Sequence, residues 1–449
     1  MTSTTFGAKK ASCFKNPQYL LLWAGQSISL IGDYFFSATI MLWIIDRLAR
    51  GETWLPLATG GVAMAATLPA LLLAPFAGVF VDRWEKRWTM IWTDVLRLLL
   101  VSLFVLMTLL VVERALLLLS ALVMLVLVAC GEQFFVPARV AVVADLVPAQ
   151  QHLQAYGSLQ QARYFAQILG PSLAGLLYSV LGPTWAFVLN ACSFLLSCLF
   201  TFLLRTRAQE KRAVQGQRMG LWQEFSQGLH FFVGNRVLVT MLVSGMLFMC
   251  GGMAYNSFEY LYGVENLHIP GALLGVYVAC YGAGVVVGLP AAAALAKRSS
   301  EVDVLWLFLA SFGTVMLVLS RVSTMVPGMT CSVLLGFFSS SIFVTVRPLT
   351  VLVTPRELIG RVMAFEVPLI TVASLLGGLI ASLLASTVLA GFHAQFAGMT
   401  LGRLDTIFVG VGLLTISAAV FARLTLYRAV KALRAQKAAQ LAAVERGAT

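Results

Sequence analysis

The chain has 449 residues, of which 59% are apolar and 11% charged, against about 45–50% and about 25% in an ordinary soluble domain. Folded in water, such a chain would leave large apolar patches exposed. In a bilayer the same surface is the lipid-facing side, and the backbone must close its own hydrogen bonds. The apolar runs are continuous and lack the period-two alternation of porin strands, which excludes a β-barrel.

At about 20 residues per crossing the chain yields about twelve helical spans. The first six run over Tyr19–Ile45, Leu57–Val81, Trp88–Val112, Leu116–Asp145, Tyr156–Leu181 and Trp185–Leu204. The second six run over Leu238–Tyr262, Leu273–Leu295, Val304–Leu319, Val326–Val353, Val362–Leu389 and Thr406–Tyr427. The basic tract Lys9, Lys10 and Lys15 precedes a long apolar run with no small-residue cleavage site, which predicts a retained first helix rather than a signal peptide. The substantial polar break, Arg205 to Gly220, splits the chain into two sets of six. The expected fold is an all-α integral membrane protein with residues 1–204 and 237–427 as two pseudo-symmetric bundles, 205–236 as a linker and 428–449 as a tail. The basic tail, Arg423 to Gln440, predicts a helix leaving the last span along the membrane surface.

The two halves resemble each other. Phe134 to Pro148 leads into the Gly-Pro-rich stretch Gln167 to Val180, and Ile342 to Pro355 leads into Ala373 to Ala385. Arg139 aligns with Arg347, Pro148 with Pro355, and Gly170-Pro171 with Gly377-Gly378. A second match sets Asn16–Asp33 beside Asn235–Gly252, with Gly32 over Gly251. Many secondary transporters are duplicated in this way, with the substrate site between the repeats.

The net charge of +12 is better explained by placement than by a nucleic-acid partner. Arg47, Arg50, Arg114, Arg321 and Arg403 fall on one side, and Arg97, Arg139, Arg163 and Arg347 fall inside spans. The other Lys and Arg residues, of 31 in all, fall on the second side, in the N-terminus, the Arg83–Arg87 loop, the linker, Lys297-Arg298, Arg356/Arg361 and the tail. By the positive-inside rule both termini and the linker face the cytoplasm, with anionic lipid reinforcing the charge. All seven cysteines except Cys13 lie in apolar runs, and the four histidines show no metal-ligand spacing. The cysteines read as small buried hydrophobes, and no metal or cofactor is implied. Trp54, Trp88 and Trp185 fall where an aromatic belt would lie.

A charge inside a span costs about 2.5–3.5 kcal/mol on insertion scales, so it needs a partner, a wet cavity or a task. Asp33 lies near the middle of span one and Glu132 near the middle of span four, and both are candidates for coupling or substrate contact. Arg139 and Arg347 lie near the ends of their fourth spans, Arg163 early in span five and Glu366 early in span eleven. Arg139 and Arg347 can pair with carboxylates to stabilise a gate or attract an anionic group, and Arg163 and Glu366 lie near the same inner gate. Asp94 and Arg97 read as an i,i+3 pair associated with the neighbouring loop, and Glu259 reads equally well as interfacial.

The loop after span two, GVFVDRWEKR (Gly78 to Arg87), resembles the signature between helices two and three of the major facilitator superfamily. Gly78, Asp82, Arg83, Lys86 and Arg87 match, while Phe80 replaces a Leu and Glu85 a Gly. Ala166 to Gly175 resembles the Gly-Pro…Gly motif of exporters in that superfamily, with Gly170, Pro171 and Gly175 allowing close helix approach and a bend. Gly-Asp in span one, Phe-x-Pro-Ala-Arg at the end of span four and Asp-Leu-Val-Pro after it resemble the branch of drug:proton antiporters that holds macrolide-efflux and enterobactin-export proteins. The resemblance implies the major facilitator fold, with spans one and four lining the cavity. It also implies a charge relay of Asp82, Lys86 and Asp145 that latches the cytoplasmic side. One departure is that many proton-linked exporters carry an Arg in mid-span four, where this chain has Glu132, with Arg139 further along.

The expected function is export of amphiphilic or lipophilic small molecules across the cytoplasmic membrane by proton antiport, the partners being substrate, protons and membrane lipid, and the chain a monomer. Export of one endogenous compound such as a siderophore, or movement of a lipid, is the alternative within the class. An integral-membrane enzyme would need a clustered nucleophile, base or metal site that the sequence does not display. A channel fits poorly with the duplicated halves.

Overall fold

A computed structural model of the chain describes residues 13–110, 113–205, 229–355, 358–392, 394–396 and 399–447. Twelve of its helices are long and apolar enough to cross a membrane. They are α1 (Pro17–Trp43), α2 (Leu55–Arg83), α3 (Lys86–Leu110), α4 (Arg114–Leu146), α5 (His152–Leu181), α6 (Pro183–Leu203), α7 (Arg236–Glu265), α8 (Gly271–Arg298), α9 (Glu301–Leu319), α10 (Met325–Val353), α11 (Ile359–Ser386) and α12 (Arg403–Gly447). They match the predicted spans to within a few residues, save that α12 continues past Tyr427 to Gly447. Lys9 and Lys10, Val112 at the end of span three, most of the 205–236 linker and Arg356 lie outside the described residues, as do the side chains of Arg347 and Arg361.

Successive helices are antiparallel, so one face of the molecule carries the start of α1 and the end of α6, and the opposite face carries the end of α1 and the start of α2. We call these the proximal and distal faces. Two features depart from expectation. A three-residue antiparallel hairpin, β1 (Ala394–Phe396) with β2 (Met399–Leu401), sits in the distal loop before α12, pairing Gln395 with Thr400. The last helix runs unbroken from Arg403 to Gly447. It therefore carries the axis of the twelfth span onward from the proximal face instead of turning into the membrane plane.

The repeat seen in the sequence recurs in the packing. Asn16 and Asn235 each cap their helix, the side-chain oxygen of one accepting from the Gln18 N–H and of the other from the Val237 and Leu238 N–H groups. Gly32 brings α1 against α6, where a Cβ would stand 2.8 Å from Asn190 Oδ1, and Gly251 brings α7 against α12, 2.8 Å from Val411. Gly170 brings α5 against α1 and Gly377 brings α11 against α7; a Cβ there would stand 2.6 Å from Tyr34 Cβ and from Cys250 Cα respectively. Such contacts need small residues because lipid supplies no hydrophobic drive for helix association, leaving close packing to do it.

Each set of six has its own group of aromatic rings, set in one buried apolar core that runs across both halves. Phe36, Trp43, Phe104 and Phe187 join α1, α3 and α6 with ring centroids 5.1–6.5 Å apart. Phe248–Phe312 and Tyr262–Phe408 do the same for α7, α9 and α12, at 5.1 and 4.6 Å. Large apolar side chains such as Leu99, Leu109 and Val180 stand exposed on the outside, as a lipid-facing surface requires. The cysteines are unpaired; Cys13 and Cys331 are buried and Cys192 is exposed, which departs from a uniformly buried set.

Candidate functional site

The two sets of six meet along two seams. In the first, Gly175 of α5 faces Gly275 of α8, where a Cβ on Gly175 would lie 2.8 Å from the Ala272 carbonyl oxygen. In the second, Gly60 of α2 faces Ser382 of α11, whose Cβ would lie 2.9 Å from an added methyl. Both seams lie in the distal half. Toward the proximal face α2 is uncovered: Phe76 is 60% exposed, and a Cβ at Gly78 would meet nothing within 4 Å. Among the described residues the closest approaches between the halves are thus distal.

Beneath the distal seams lies a cavity of about 320 Å³ walled by both halves: α1, α2, α4 and α5 on one side, α7 and α8 on the other. Tyr34, Ser37, Thr67 and Gln167 come from the first half and Tyr255, Asn256, Glu259, Tyr260 and Tyr281 from the second. An apolar wall with a few placed polar groups is the usual form of a small-molecule site.

Asp33 and Glu132 are half-buried and do not line this cavity. They belong to a charged cluster inside the first half. Asp33 lies within electrostatic reach of Arg97, Glu132, Asp94 and Arg163, and Glu132 within reach of Arg139 and Arg163. Among the described residues neither has a hydrogen-bond or ion-pair partner. Arg139 donates from Nη1 to Gln26 Oε1 at 3.0 Å, and Arg163 from Nε to the Tyr34 hydroxyl at 3.4 Å. Both arginines line a small pocket of about 150 Å³ between α1, α4 and α5. Glu366 on α11 is half-buried.

One assignment from sequence needs correction. Asp94 and Arg97 are not tied to the loop: they are 0% and 3% exposed, deep between α3, α4 and α6. Asp94 Oδ1 stands 3.8 Å from Arg97 Nη1, and Ser197 Oγ donates to Asp94 Oδ2 at 2.7 Å. The Arg97 guanidinium sits over Phe135 and Phe194, 5.0 and 5.7 Å from their centroids, which replaces lost hydration with aromatic faces. Glu259 is enclosed by the second half. It is 4% exposed, accepts from the Tyr255 hydroxyl at 2.8 Å and faces the Ser332 hydroxyl at 3.5 Å. The signal available in the sequence was an acid within a helix with a tyrosine one turn before it.

The loop motif has a partial structure. Lys86 lies within electrostatic reach of Asp145, while Asp82 and Arg83 are exposed. Arg87 donates to the Thr201 and Phe202 carbonyls at the end of α6, where a cation satisfies orphan acceptors and the helix dipole. Glu85, which departs from the family pattern, caps α3 by accepting from the Trp88 N–H at 2.7 Å.

Twelve spanning helices around a cavity between two matched halves, shut at one face, define a membrane carrier. The chain belongs to the Major Facilitator Superfamily, whose family model matches residues 22–365. It is 22% identical over 271 residues to macrolide efflux protein A of Streptococcus pyogenes, covering 60% of this chain and 65% of that one. The chain thus spans about two thirds of the length of that relative. It is 25% identical over 417 residues, 90% of this chain and 94% of the other, to the uncharacterized MFS-type transporter YfiS of Bacillus subtilis. It is 28% identical to the putative bacilysin exporter BacE of Bacillus amyloliquefaciens over 54% of this chain and 58% of that one. Among solved structures, the nucleoside transporter NupG superposes with a TM-score of 0.66 at 11% identity, covering 92% of this chain and 99% of that one. A bacterial homologue of the human lysosomal transporter Spinster, inward-facing and occupied, gives 0.68 at 14% over 92% and 97%. The protein is a multi-pass membrane transporter with efflux-named relatives.

Proposed function

We propose that the chain exports amphiphilic or lipophilic small molecules across the cytoplasmic membrane in exchange for protons, as a monomer with its proximal face and both termini in the cytoplasm. Residues 1–204 and 237–427 are the two moving units, 205–236 joins them, and 428–449 is a cytoplasmic tail. The observation that carries the reading is the cavity of about 320 Å³ shared by both halves and roofed by the α5–α8 and α2–α11 seams. In this arrangement the cavity takes substrate from the proximal side, and opening of the seams releases it distally. The Asp33–Glu132 cluster lies beside it, and Tyr34 touches both regions. That link supports a coupling in which proton exchange at Asp33 shifts Arg163 and Tyr34 and so alters the cavity wall.

The test is substrate-induced proton movement in everted vesicles across a panel of amphiphiles that includes macrolides, the compounds named for the streptococcal relative. Saturable export that depends on a pH gradient is expected. Export that persists when the gradient is collapsed would refute proton coupling. A second reading, export of one anionic endogenous compound, is favoured by the pocket between Arg139 and Arg163. It predicts competition by anions that is lost in Arg139→Gln.

A further inference from the structure

We propose that Glu259 and the tyrosines around it form a binding subsite for the positively charged end of an organic ligand, a protonated or quaternary amine. The proposal deepens the exporter reading and rests on it, because it assigns a ligand chemistry to the cavity named there as the substrate cavity.

Among the described residues lining that cavity, Glu259 is the one with a charge; the rest are aromatic, aliphatic, hydroxyl or amide side chains. Nothing basic in the lining neutralises it. Its Oε1 is held by the Tyr255 hydroxyl at 2.8 Å, with Ser332 at 3.5 Å. The same Tyr255 hydroxyl lies 3.2 Å from Ser332 Oγ, so the carboxylate is fixed by a small network joining α7 and α10. Oε2 has no partner among the described residues and is not among the fully occluded, unsatisfied atoms. One oxygen is anchored and the other is available to the cavity.

A buried carboxylate without a counter-ion is costly, and the wall supplies what a soft cation would need to offset that. Tyr255 and Tyr281 have ring centroids 5.8 Å apart at the cavity wall, with Tyr260 on the same helix and Tyr34 opposite. Tyrosine faces attract an alkylated ammonium through the ring quadrupole and do not compete with it for water. A hard inorganic cation would need several oxygen ligands at short range, and no cluster of metal-ligating side chains is present among the described residues.

The experiment measures binding to the full-length protein in lipid nanodiscs. The probes are tetraphenylphosphonium, a permanent organic cation that carries no exchangeable proton, and triphenylphosphine oxide, a neutral aromatic of related shape. Glu259→Gln is expected to weaken tetraphenylphosphonium by about tenfold or more, a loss of about 1.4 kcal/mol, and to leave the oxide within about twofold. Glu259→Asp should retain part of the cation affinity. Glu265→Gln, on the distal rim in an ion pair with Arg403, should match wild type for both probes. Should Glu259→Gln fail to fold, carbodiimide modification of Glu259 in the wild-type protein replaces it, with saturating tetraphenylphosphonium expected to protect the residue. Equal cation affinity in wild type and Glu259→Gln, equal loss in Glu265→Gln, or modification indifferent to the cation would each overturn the subsite. If neutral amphiphiles are still exported in everted vesicles, only the subsite fails. Absence of both binding and export would count against the exporter reading too.

Discussion

Replacing Gly275 by Ala is expected to drive the protein toward the state open at the distal face. A Cβ at this position would overlap the Pro171 carbonyl oxygen and stand 2.7 Å from its carbon and 3.0 Å from the Gly175 amide nitrogen. All three are backbone atoms of α5, so no side-chain rotation relieves the clash and the helices must separate. Overpacking of this kind costs about 1–3 kcal/mol. The cost falls only on the state in which the α5–α8 seam is shut, so the open-to-closed ratio should rise about five- to 150-fold. By contrast, Gly60→Ala meets the Ser382 side chain, whose Oγ can rotate away while its Cβ stays at 2.9 Å, and its effect should be smaller. Gly78→Ala has nothing within 4 Å and should leave this closed state undisturbed. The assay places one cysteine at Ser37, on the cavity wall, in a background cleared of native cysteines. Impermeant maleimide is then applied from each side of the membrane. Gly275→Ala should gain distal and lose proximal labelling. A correctly inserted Gly275→Ala protein with wild-type labelling from both sides would refute the seam as the distal gate.

Four further outcomes follow from the site. Asp33→Asn should abolish or greatly reduce substrate-induced proton movement in everted vesicles while the protein inserts normally, because an amide of the same shape cannot exchange a proton; unchanged movement rejects Asp33 as a coupling site. Arg97→Met strands Asp94 in the core and should lower stability by about 3–5 kcal/mol, read as a drop in melting temperature of the purified protein; a melting point within a degree or two of wild type would show that the pair is not structural. Asp82→Asn should raise proximal labelling of the Ser37 cysteine and cut efflux if this carboxylate anchors the proximal latch at the positive end of α11; wild-type accessibility ends that idea. Cysteines placed at Gln215 and in the Gly391–Gly402 loop should label from opposite sides, and same-side labelling would break the twelve-span topology.

The spans were legible in the sequence because lipid imposes a length and a composition on every crossing helix. The duplication was legible because the residues that repeat, Asn16 with Asn235 and Gly32 with Gly251, cap or pack the same helix in each half. Charges were harder. Asp33 and Glu132 were recognisable as expensive residues within spans, but which wall each faces depends on helix rotation, which a single sequence does not fix. Both turned out to face a cluster with Arg97 and Arg163 rather than the shared cavity. Glu259 was left open between two readings because distance from the helix end does not give burial. It lies about one and a half turns from the end of α7, yet α8 and α10 cover it through Tyr277 and Ser332. The Asp94–Arg97 pair was misjudged for the related reason that i,i+3 spacing says two side chains can meet and nothing about what encloses them.

The packing of the two halves suggests how a rocking carrier keeps its two states distinct. Contacts inside each half are of two kinds, glycine approaches and interlocked aromatic rings, and both resist gradual deformation because a packed core has discrete arrangements. Close contacts between the halves include a backbone approach at Gly175–Gly275, a small-side-chain approach at Gly60–Ser382, and Ile168 against Gly282 and Met64 against Gly378. The glycine approaches can part without moving an aromatic ring, while the buried apolar core that crosses both halves must divide there. The duplication places the seams symmetrically, α5 on α8 and α2 on α11, with the cavity below both. In the proposed two-unit motion, opening one seam opens the other, and the wall bearing Glu259 goes with the second half while Tyr34 and Gln167 go with the first. A ligand that spans the cavity therefore senses the separation of the halves directly. Its differential contact with the shut and parted arrangements is the free energy available to shift the balance between them.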